Sequence, residues 1–87
     1  MNIQGIKYFI VLAETVHYTR ASEKLGITQP SLSYAIKELE RELGLPLFEP
    51  GHRTELTIWG RKFLSHARQS MASLYEGIRE VNYSILP

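Results

Sequence analysis

The stretch TRASEKLGITQPSLSYAIKELEREL, residues 19–43, contains two helical patterns separated by a short turn. Thr19 is a favourable N-cap for a short first helix, and Gly26 stands where a helix commonly ends in a left-handed residue. Thr28 is a second N-cap, and Pro30 follows in a first turn where its missing N–H is not needed. The apolar residues of the longer pattern recur at helical spacing, at Leu32, Ile36, Leu39 and Leu43. The stretch therefore predicts a short helix, a turn and a longer helix.

The two helices of this stretch carry residues that allow them to pack closely. Ala21 or Ser22 supplies a small side chain on the first helix, and Ile27 supplies an apolar side chain in the turn. Leu32 and Ile36 then anchor the second helix. This combination is the sequence form of a helix-turn-helix, and the alternative that the pattern leaves open is an ordinary helical hairpin.

An amphipathic segment precedes the helix-turn-helix. Its apolar residues share one helical face and are Ile3, Ile6, Phe9, Ile10 and Ala13. We predict a core helix from about Asn2 to Thr15 and assign it no chemistry. The predicted fold is therefore mainly α.

The residues after the longer helix change in character. Gly44 and Pro46 end that helix. Residues 47–49 and 55–57 read as two short strands, which predicts a two-stranded wing around a turn. Arg53 at the tip of this wing is placed to contact a phosphate or a narrow minor groove. The alternative is a solvated loop that carries one arginine.

The last segment has the most regular pattern. Thr57 is an N-cap for a helix that runs to about Tyr83, and Trp59 and Phe63 are predicted to dock this helix onto the preceding domain. The apolar seam repeats in steps of three and four, at Leu64, Ala67, Met71, Leu74, Ile78, Val81 and Ile85. Such an a/d repeat over three heptads is typical of a coiled coil. We expect a second copy of the chain to cover the seam, because no other segment has the length to do so. The alternative is a helix that packs within one chain.

Length and composition restrict the class of protein. The 87 residues fit one small domain, and the absence of cysteine excludes disulfides, thiolate metal sites and a cysteine nucleophile. The longest uncharged apolar run, 8–13, is too short to cross a bilayer, and no basic segment precedes it as in a secretory signal. We therefore expect a cytoplasmic protein without a membrane segment.

The charge is distributed unevenly although the net charge is only +1. Between Lys24 and Lys37 there is no acidic residue, and the window is rich in threonine, glutamine, serine and tyrosine. These side chains donate hydrogen bonds without repelling phosphate. The charge distribution fits a local DNA-binding face and fits a polar solvated surface equally well.

The histidines and serines do not form a recognisable catalytic arrangement. His17, His52 and His66 fall on a turn, a wing tip and a helix flank, and no metal-ligand spacing or glycine-rich phosphate loop is present. Ser65 and His66 are adjacent on a helix and so do not face each other. We therefore predict no enzymatic activity, no metal and no cofactor.

Four motifs give the chain a resemblance to a known family. They are YFIVLAE (8–14), YTRASEKLGITQPSLS (18–33), LERELGLPLFE (39–49) and LTIWG (56–60). In order and spacing they resemble the DNA-binding domain of LysR-type transcriptional regulators. The resemblance implies a winged helix-turn-helix over residues 1–57 and a linker helix over residues 58–87 that pairs antiparallel with its mate in a homodimer.

The same resemblance implies features of a longer protein. A separate domain that binds a small-molecule effector is expected after the linker helix and is absent from this chain. Full-length members are commonly tetramers that bend promoter DNA. Three departures from the usual family residues affect the DNA contacts that we expect: Tyr34 stands where arginine is frequent, Pro50 also stands where arginine is frequent, and Trp59 replaces a small residue.

The resemblance also indicates which side chains meet DNA. Those at the start of the longer helix enter the major groove, and Gln29 is the predicted reader of an adenine edge. Pro30 and Ser31 lie beside it, although Pro30 fits a purely helix-starting role as well. The predicted phosphate contacts are Thr28, Ser33, Tyr34 and Lys37, with Arg53 on the wing. Thr28 fits a purely capping role as well. A rival hypothesis is a coiled-coil module that binds another protein, which would show little dependence on salt.

Overall fold

The computed structural model describes residues 1–51 and 54–84. These residues form four helices, which are α1 (Ile3–Thr15), α2 (Tyr18–Leu25), α3 (Gln29–Leu43) and α4 (Ile58–Ser84). The mainly helical architecture predicted from the sequence is confirmed. None of these helices combines the length and the apolar character that a membrane span requires.

The helix boundaries follow from local capping, with one correction. The Asn2 side chain accepts a hydrogen bond from the Gly5 N–H at 2.7 Å and begins α1. The predicted cap of α2 at Thr19 is wrong, because the cap is His17, whose Nδ1 accepts from the Arg20 N–H at 3.4 Å. Val16 ends α1 with a left-handed φ of 49°, so the chain is extended again at His17 and helical from the next residue.

The turn between α2 and α3 has the predicted form. Gly26 adopts a left-handed φ of 69°, which a residue without Cβ reaches at no steric cost. The Thr28 hydroxyl accepts from the Ser31 N–H at 3.2 Å and caps α3, with Pro30 in the first turn. Both glycines predicted as helix ends, Gly26 and Gly44, are left-handed C-caps.

The core lies where α1 packs against the other three helices. Its buried residues are Phe9, Leu12, Ala21, Leu32, Ile36, Leu39, Leu47, Phe48 and Leu64. The Phe9 ring lies 5.6 Å from the Phe48 ring in an edge-on arrangement, and 5.6 Å from Phe63. Aromatic pairs at such distances contribute beyond the apolar area that they bury. The start of α4 and the segment after α3 are thereby fixed on α1.

The predicted two-stranded wing is not confirmed. Residues 47–49 and 55–57 run antiparallel and form a single bridge between Phe48 and Leu56 without a strand on either side. Two backbone hydrogen bonds flank the bridge, from Glu49 N to Glu55 O at 2.7 Å and from Thr57 N to Leu47 O at 2.9 Å. Pro50 has no N–H to extend this pairing. The tip residue Arg53 lies outside the described residues.

The seam of α4 is divided into two halves. Leu64, Ala67 and Met71 are buried within the single chain, where α4 packs on α1. The expectation that no other segment could cover the seam is therefore wrong for this half, because α1 lies along it. All of residues 72–83 are exposed, and Leu74, Ile78 and Val81 lie in this second half.

The predicted docking residues at the start of α4 differ in their burial. Phe63 packs against the core as predicted. Trp59 remains 44% exposed at the edge of an apolar groove beside Leu43 and Leu47. Its docking role is therefore partial.

Candidate nucleic-acid interface

One face of α3 collects most of the predicted site residues. The opposite face of α3 buries Leu32, Ile36 and Leu39 in the core, which turns the remaining side chains outward. The structure exposes Thr28, Gln29, Pro30, Ser31, Tyr34 and Lys37 and leaves Ser33 half-buried. The predicted residues of α3 thus share the solvent-facing side of the first half of the helix, which we call the α3 face.

The Thr28 hydroxyl makes both of its hydrogen bonds at the N-terminus of α3. This hydroxyl accepts from the Ser31 N–H and donates to the Ser31 Oγ at 2.8 Å. Its hydrogen is therefore already used, and capping is the role that the geometry supports. Because the Ser31 oxygen accepts this bond, the Ser31 hydroxyl keeps its own hydrogen for an outside acceptor.

Gln29 is held from the neighbouring helix. Its Nε2 donates to the Thr19 Oγ1 at 2.9 Å, across the turn that joins α2 to α3. A glutamine amide has two N–H donors and one carbonyl acceptor. One N–H and the carbonyl oxygen of Gln29 therefore remain available to a ligand.

Ser33 and Lys37 line a cleft between α3 and the base of the bridged segment. They are one helical turn apart and so lie on the same side of α3. The cleft encloses about 450 Å³, and its lining also includes the acidic residues Glu40 and Glu49. In the part of the chain that the structure describes, Lys37 forms no ion pair, so its ammonium is available to an anion.

The acidic residues of α3 are engaged by the protein itself. Glu40 accepts hydrogen bonds from the Leu47 N–H at 2.7 Å and the Phe48 N–H at 3.2 Å, which ties the bridged segment to α3. Glu42 pairs with the amino terminus. These carboxylates thereby have partners within the chain, although Glu40 still lines the cleft beside Lys37.

Glu38 also has a partner within the chain, Arg41, and Tyr34 lies close to it. The Arg41 guanidinium donates to Glu38 at 2.8 Å and holds the pKa of that carboxyl below its ordinary value, with a smaller lowering from the nearby Tyr34 hydroxyl. The Tyr34 side chain is 68% exposed. We expected its hydroxyl to contact a phosphate, and the structure places it within reach of Glu38.

Sequence reasoning missed two contacts of this interface. One is the Thr19–Gln29 hydrogen bond, which joins residues ten positions apart on different helices. The other is the double hydrogen bond of Glu40, which depends on where the chain passes after Gly44. Neither contact has a periodic or capping signal in the sequence.

The chain is similar in sequence to known bacterial regulators. The family model described as bacterial regulatory helix-turn-helix protein, lysR family, matches residues 3–61. The HTH-type transcriptional regulator IlvR of Caulobacter vibrioides is 47% identical over 75 residues, which are 85% of this chain and 25% of that protein. AlsR of Bacillus subtilis is 40% identical over 79 residues, 90% of this chain and 26% of that protein. The chain spans about a quarter of the length of these relatives.

Solved structures give the same result. The DNA-binding domain of BenM in complex with the catB site 1 DNA superposes with a TM-score of 0.90 at 32% identity, over 94% of this chain and 89% of that one. The CbnR DNA-binding domain in complex with DNA superposes with a TM-score of 0.89 at 31% identity, over 99% of this chain and 100% of that one.

Proposed function

The chain belongs to the lysR family of bacterial regulatory helix-turn-helix proteins, and we propose on this premise that it binds double-stranded promoter DNA with sequence preference. The observation that carries the proposal is the α3 face, which exposes hydrogen-bond donors and Lys37, a residue without an ion pair among the described residues. The acids of the helix have partners within the chain. Two similar chains that are complexed with DNA support it. No enzymatic activity is part of the proposal.

Base reading is assigned to Gln29. Its free carbonyl oxygen and its remaining N–H form the donor–acceptor pair that matches the N6 and N7 atoms of adenine in the major groove. Pro30 and Ser31 follow it at the exposed start of α3 and are proposed to lie against neighbouring bases. Side chains in this part of a recognition helix are the ones that reach base edges.

Phosphate binding is assigned to the cleft beside α3. Ser33 and Lys37 line it together and are proposed to hold one phosphate. The exposed Tyr34 is proposed as a further contact outside the cleft. The prediction of Thr28 as a phosphate contact is not carried over, because its hydroxyl hydrogen is engaged within the chain. We propose that the bridged segment acts as the wing and that Arg53 contacts the backbone or the minor groove. Phosphate contacts supply affinity and orientation, whereas base contacts supply sequence choice.

A homodimer is proposed through the exposed half of α4. Residues 72–83 are all exposed, and Leu74 and Ile78 are only partly covered by their own chain. An isolated helix of about twelve residues is marginal in water. We propose that Leu74, Ile78 and Val81 pair with a second copy in an antiparallel coiled coil. Because Leu64, Ala67 and Met71 are already buried by α1, their share in this contact is smaller than the heptad pattern suggested.

The dimer places two α3 faces on one duplex. The half-sites are then inverted repeats separated by about one helical turn, or a multiple of it. For a full-length protein of this family we propose a tetramer with a small-molecule effector bound in a separate domain. We also propose a cytoplasmic location, where promoter DNA is found.

Two substitutions on the α3 face distinguish base recognition from phosphate binding. Gln29→Ala is expected to cost roughly 1–3 kcal/mol of binding and to relax the choice at one base position. Lys37→Ala is expected to weaken all sequences about equally and to reduce the slope of log K against log salt by about 1. Selection from a random duplex pool at two salt concentrations, followed by titration of the enriched site, measures both effects.

The same measurement tests the proposed function itself. An enriched inverted repeat whose affinity falls as salt rises supports a dimeric reader. The exposed apolar half of α4 also fits a module that binds another protein. Absence of any salt-dependent DNA binding would favour that function and would contradict the assignment of the α3 face.

Tyr34 offers a test in which binding is strengthened. Tyr34→Arg adds a cation to the α3 face at the position where the resemblance leads us to expect arginine. We expect about a tenfold gain in affinity at low salt, with a salt slope that is steeper by about 1, because one more phosphate charge is neutralised. Tyr34→Phe is the matched control and should leave the slope unchanged. An unchanged slope for Tyr34→Arg would show that the new guanidinium pairs with Glu38 and does not reach DNA.

A further inference from the structure

The contact between Thr19 and Gln29 joins the two helices of the helix-turn-helix at their exposed surface. Both side chains are exposed, and the 2.9 Å hydrogen bond between Gln29 Nε2 and Thr19 Oγ1 crosses from α2 to α3. Thr19 does not cap α2, since His17 has that role. Its hydroxyl is therefore not required to begin the helix, and the contact with Gln29 is the feature of Thr19 that calls for an explanation.

An exposed glutamine is normally free to rotate about three side-chain bonds. A group that must meet a base edge in one geometry binds more tightly when its conformation is fixed before contact. Thr19 stands on a separate helix whose position is set by buried Ala21 and Ser22. The hydrogen bond thus restrains the Gln29 amide from a rigid support.

The direction of the bond also decides which atoms face outward. Because an N–H of Gln29 is used on Thr19, the amide presents its carbonyl oxygen and its second N–H to the solvent. This pair of one acceptor and one donor matches adenine in the major groove. The reversed amide would present two N–H donors, which match the two acceptors of guanine.

We propose that Thr19 is a positioning residue for base recognition, which orients the Gln29 amide so that it selects adenine. The inference rests on the proposed function, because it assumes that Gln29 reads a base. Thr19 of α2, which lies outside the recognition helix, would then contribute to base specificity.

The experiment compares Thr19→Val and Thr19→Ser with the unchanged chain. Valine keeps the shape of threonine and removes the hydroxyl, whereas serine keeps the hydroxyl. Binding is measured on the enriched duplex and on three duplexes that differ only at the base pair assigned to Gln29, at two salt concentrations. Circular dichroism melting confirms that each variant folds.

The expected result is specific to one base position. Thr19→Val should lower affinity for the adenine duplex about fivefold and leave the other three duplexes nearly unchanged, so that preference falls by the same factor. The salt slope should not change, and Thr19→Ser should restore most of the preference. In a Gln29→Ala background the valine substitution should have no further effect on preference. Equal loss on all four duplexes, or an effect that persists without Gln29, would overturn the inference.

A measurement on the free chain separates this inference from the proposed function. The Nε2 hydrogens of Gln29 are followed by nuclear magnetic resonance. One outcome is that the Gln29 amide moves slowly in the unchanged chain and faster in Thr19→Val while the selection enriches no duplex. That result would mean that Thr19 restrains Gln29, as inferred, but that the proposed sequence-specific DNA binding is wrong. Motion of Gln29 as fast as that of the exposed Gln69, in the unchanged chain, would overturn the positioning role whatever the DNA result.

Discussion

Replacement of Gly60 by alanine is expected to destabilise the domain by about 3 kcal/mol, in the upper part of the range for overpacked sites. Helix propensity predicts the opposite, because alanine in a helix is favoured over glycine by about 1 kcal/mol. The sign of the measured change therefore shows which effect dominates. Gly60 lies buried in the first turn of α4, at the end of the LTIWG motif.

The steric conflict at Gly60 involves backbone that is unable to move aside. A Cβ added there would lie 2.1 Å from the Leu47 carbonyl oxygen and 3.0 Å from a Leu56 methyl carbon. The Leu47 carbonyl is held by the Thr57 N–H at 2.9 Å. The Thr57 hydroxyl in turn donates to the Pro46 carbonyl at 2.6 Å and accepts from the Gly60 N–H at 3.0 Å. A larger residue must break this junction between the bridged segment and α4.

Gly77 is the matched control for Gly60. It lies in the same helix, and a Cβ added there would meet nothing within 4 Å. Gly77→Ala is expected to stabilise the domain by up to about 1 kcal/mol, as propensity alone predicts. Because Gly77 flanks the proposed dimer contact, urea denaturation measures both variants at a protein concentration low enough for the chain to be monomeric. If Gly60→Ala were as stable as Gly77→Ala, the close approach of Leu47 to α4 would be wrong.

The helices could be predicted because their signals are local. Thr28, Gly26 and Gly44 act within one turn of their own positions, and the structure uses them as expected. The spacing of Leu32, Ile36 and Leu39 likewise fixes the buried face of α3. A side chain on the other face of such a helix is exposed by geometry, which is why the exposure of most candidate site residues could be predicted as well.

The features that could not be predicted depend on contacts between distant segments. The burial of Leu64 and Met71 results from the path of α1, which an unbroken heptad repeat does not reveal. The cap of α2 shifted to His17 because Val16 ended α1 in a left-handed conformation. The support of Gln29 by Thr19 requires the angle between two helices. Helical periodicity and residue propensity do not determine how distant segments are placed relative to one another.

Substitution of Ile78 by glutamate is expected to dissociate the proposed dimer and to weaken binding to an inverted repeat about 100-fold, because the second half-site is no longer bound within the same molecule. Ile78 is 47% exposed in the single chain and lies between Leu74, 40% exposed, and Val81, 62% exposed. In an antiparallel pair each copy would bring one carboxylate into the apolar contact, where an unpaired charge is strongly unfavourable.

The measurement compares oligomeric state with DNA affinity. Sedimentation equilibrium gives the mass of the chain in solution, and titration compares an inverted repeat with a single half-site. The expected variant is a monomer that binds the two duplexes with similar affinity. The unchanged chain should be a dimer that prefers the inverted repeat.

The control must add the same charge to the same helix outside the contact. Ala72→Glu does so, because Ala72 is exposed and lies about 120° or more around α4 from Ile78 and Val81 by the rotation of 3.6 residues per turn. Its effect on DNA affinity measures the repulsion that any added carboxylate causes, and we expect less than a threefold loss at moderate salt because exposed charges are screened over about 10 Å. A dimer that survives Ile78→Glu, or equal losses in the two variants, would show that the exposed half of α4 does not hold two copies together. The apolar end of the helix would then belong to a contact with another protein.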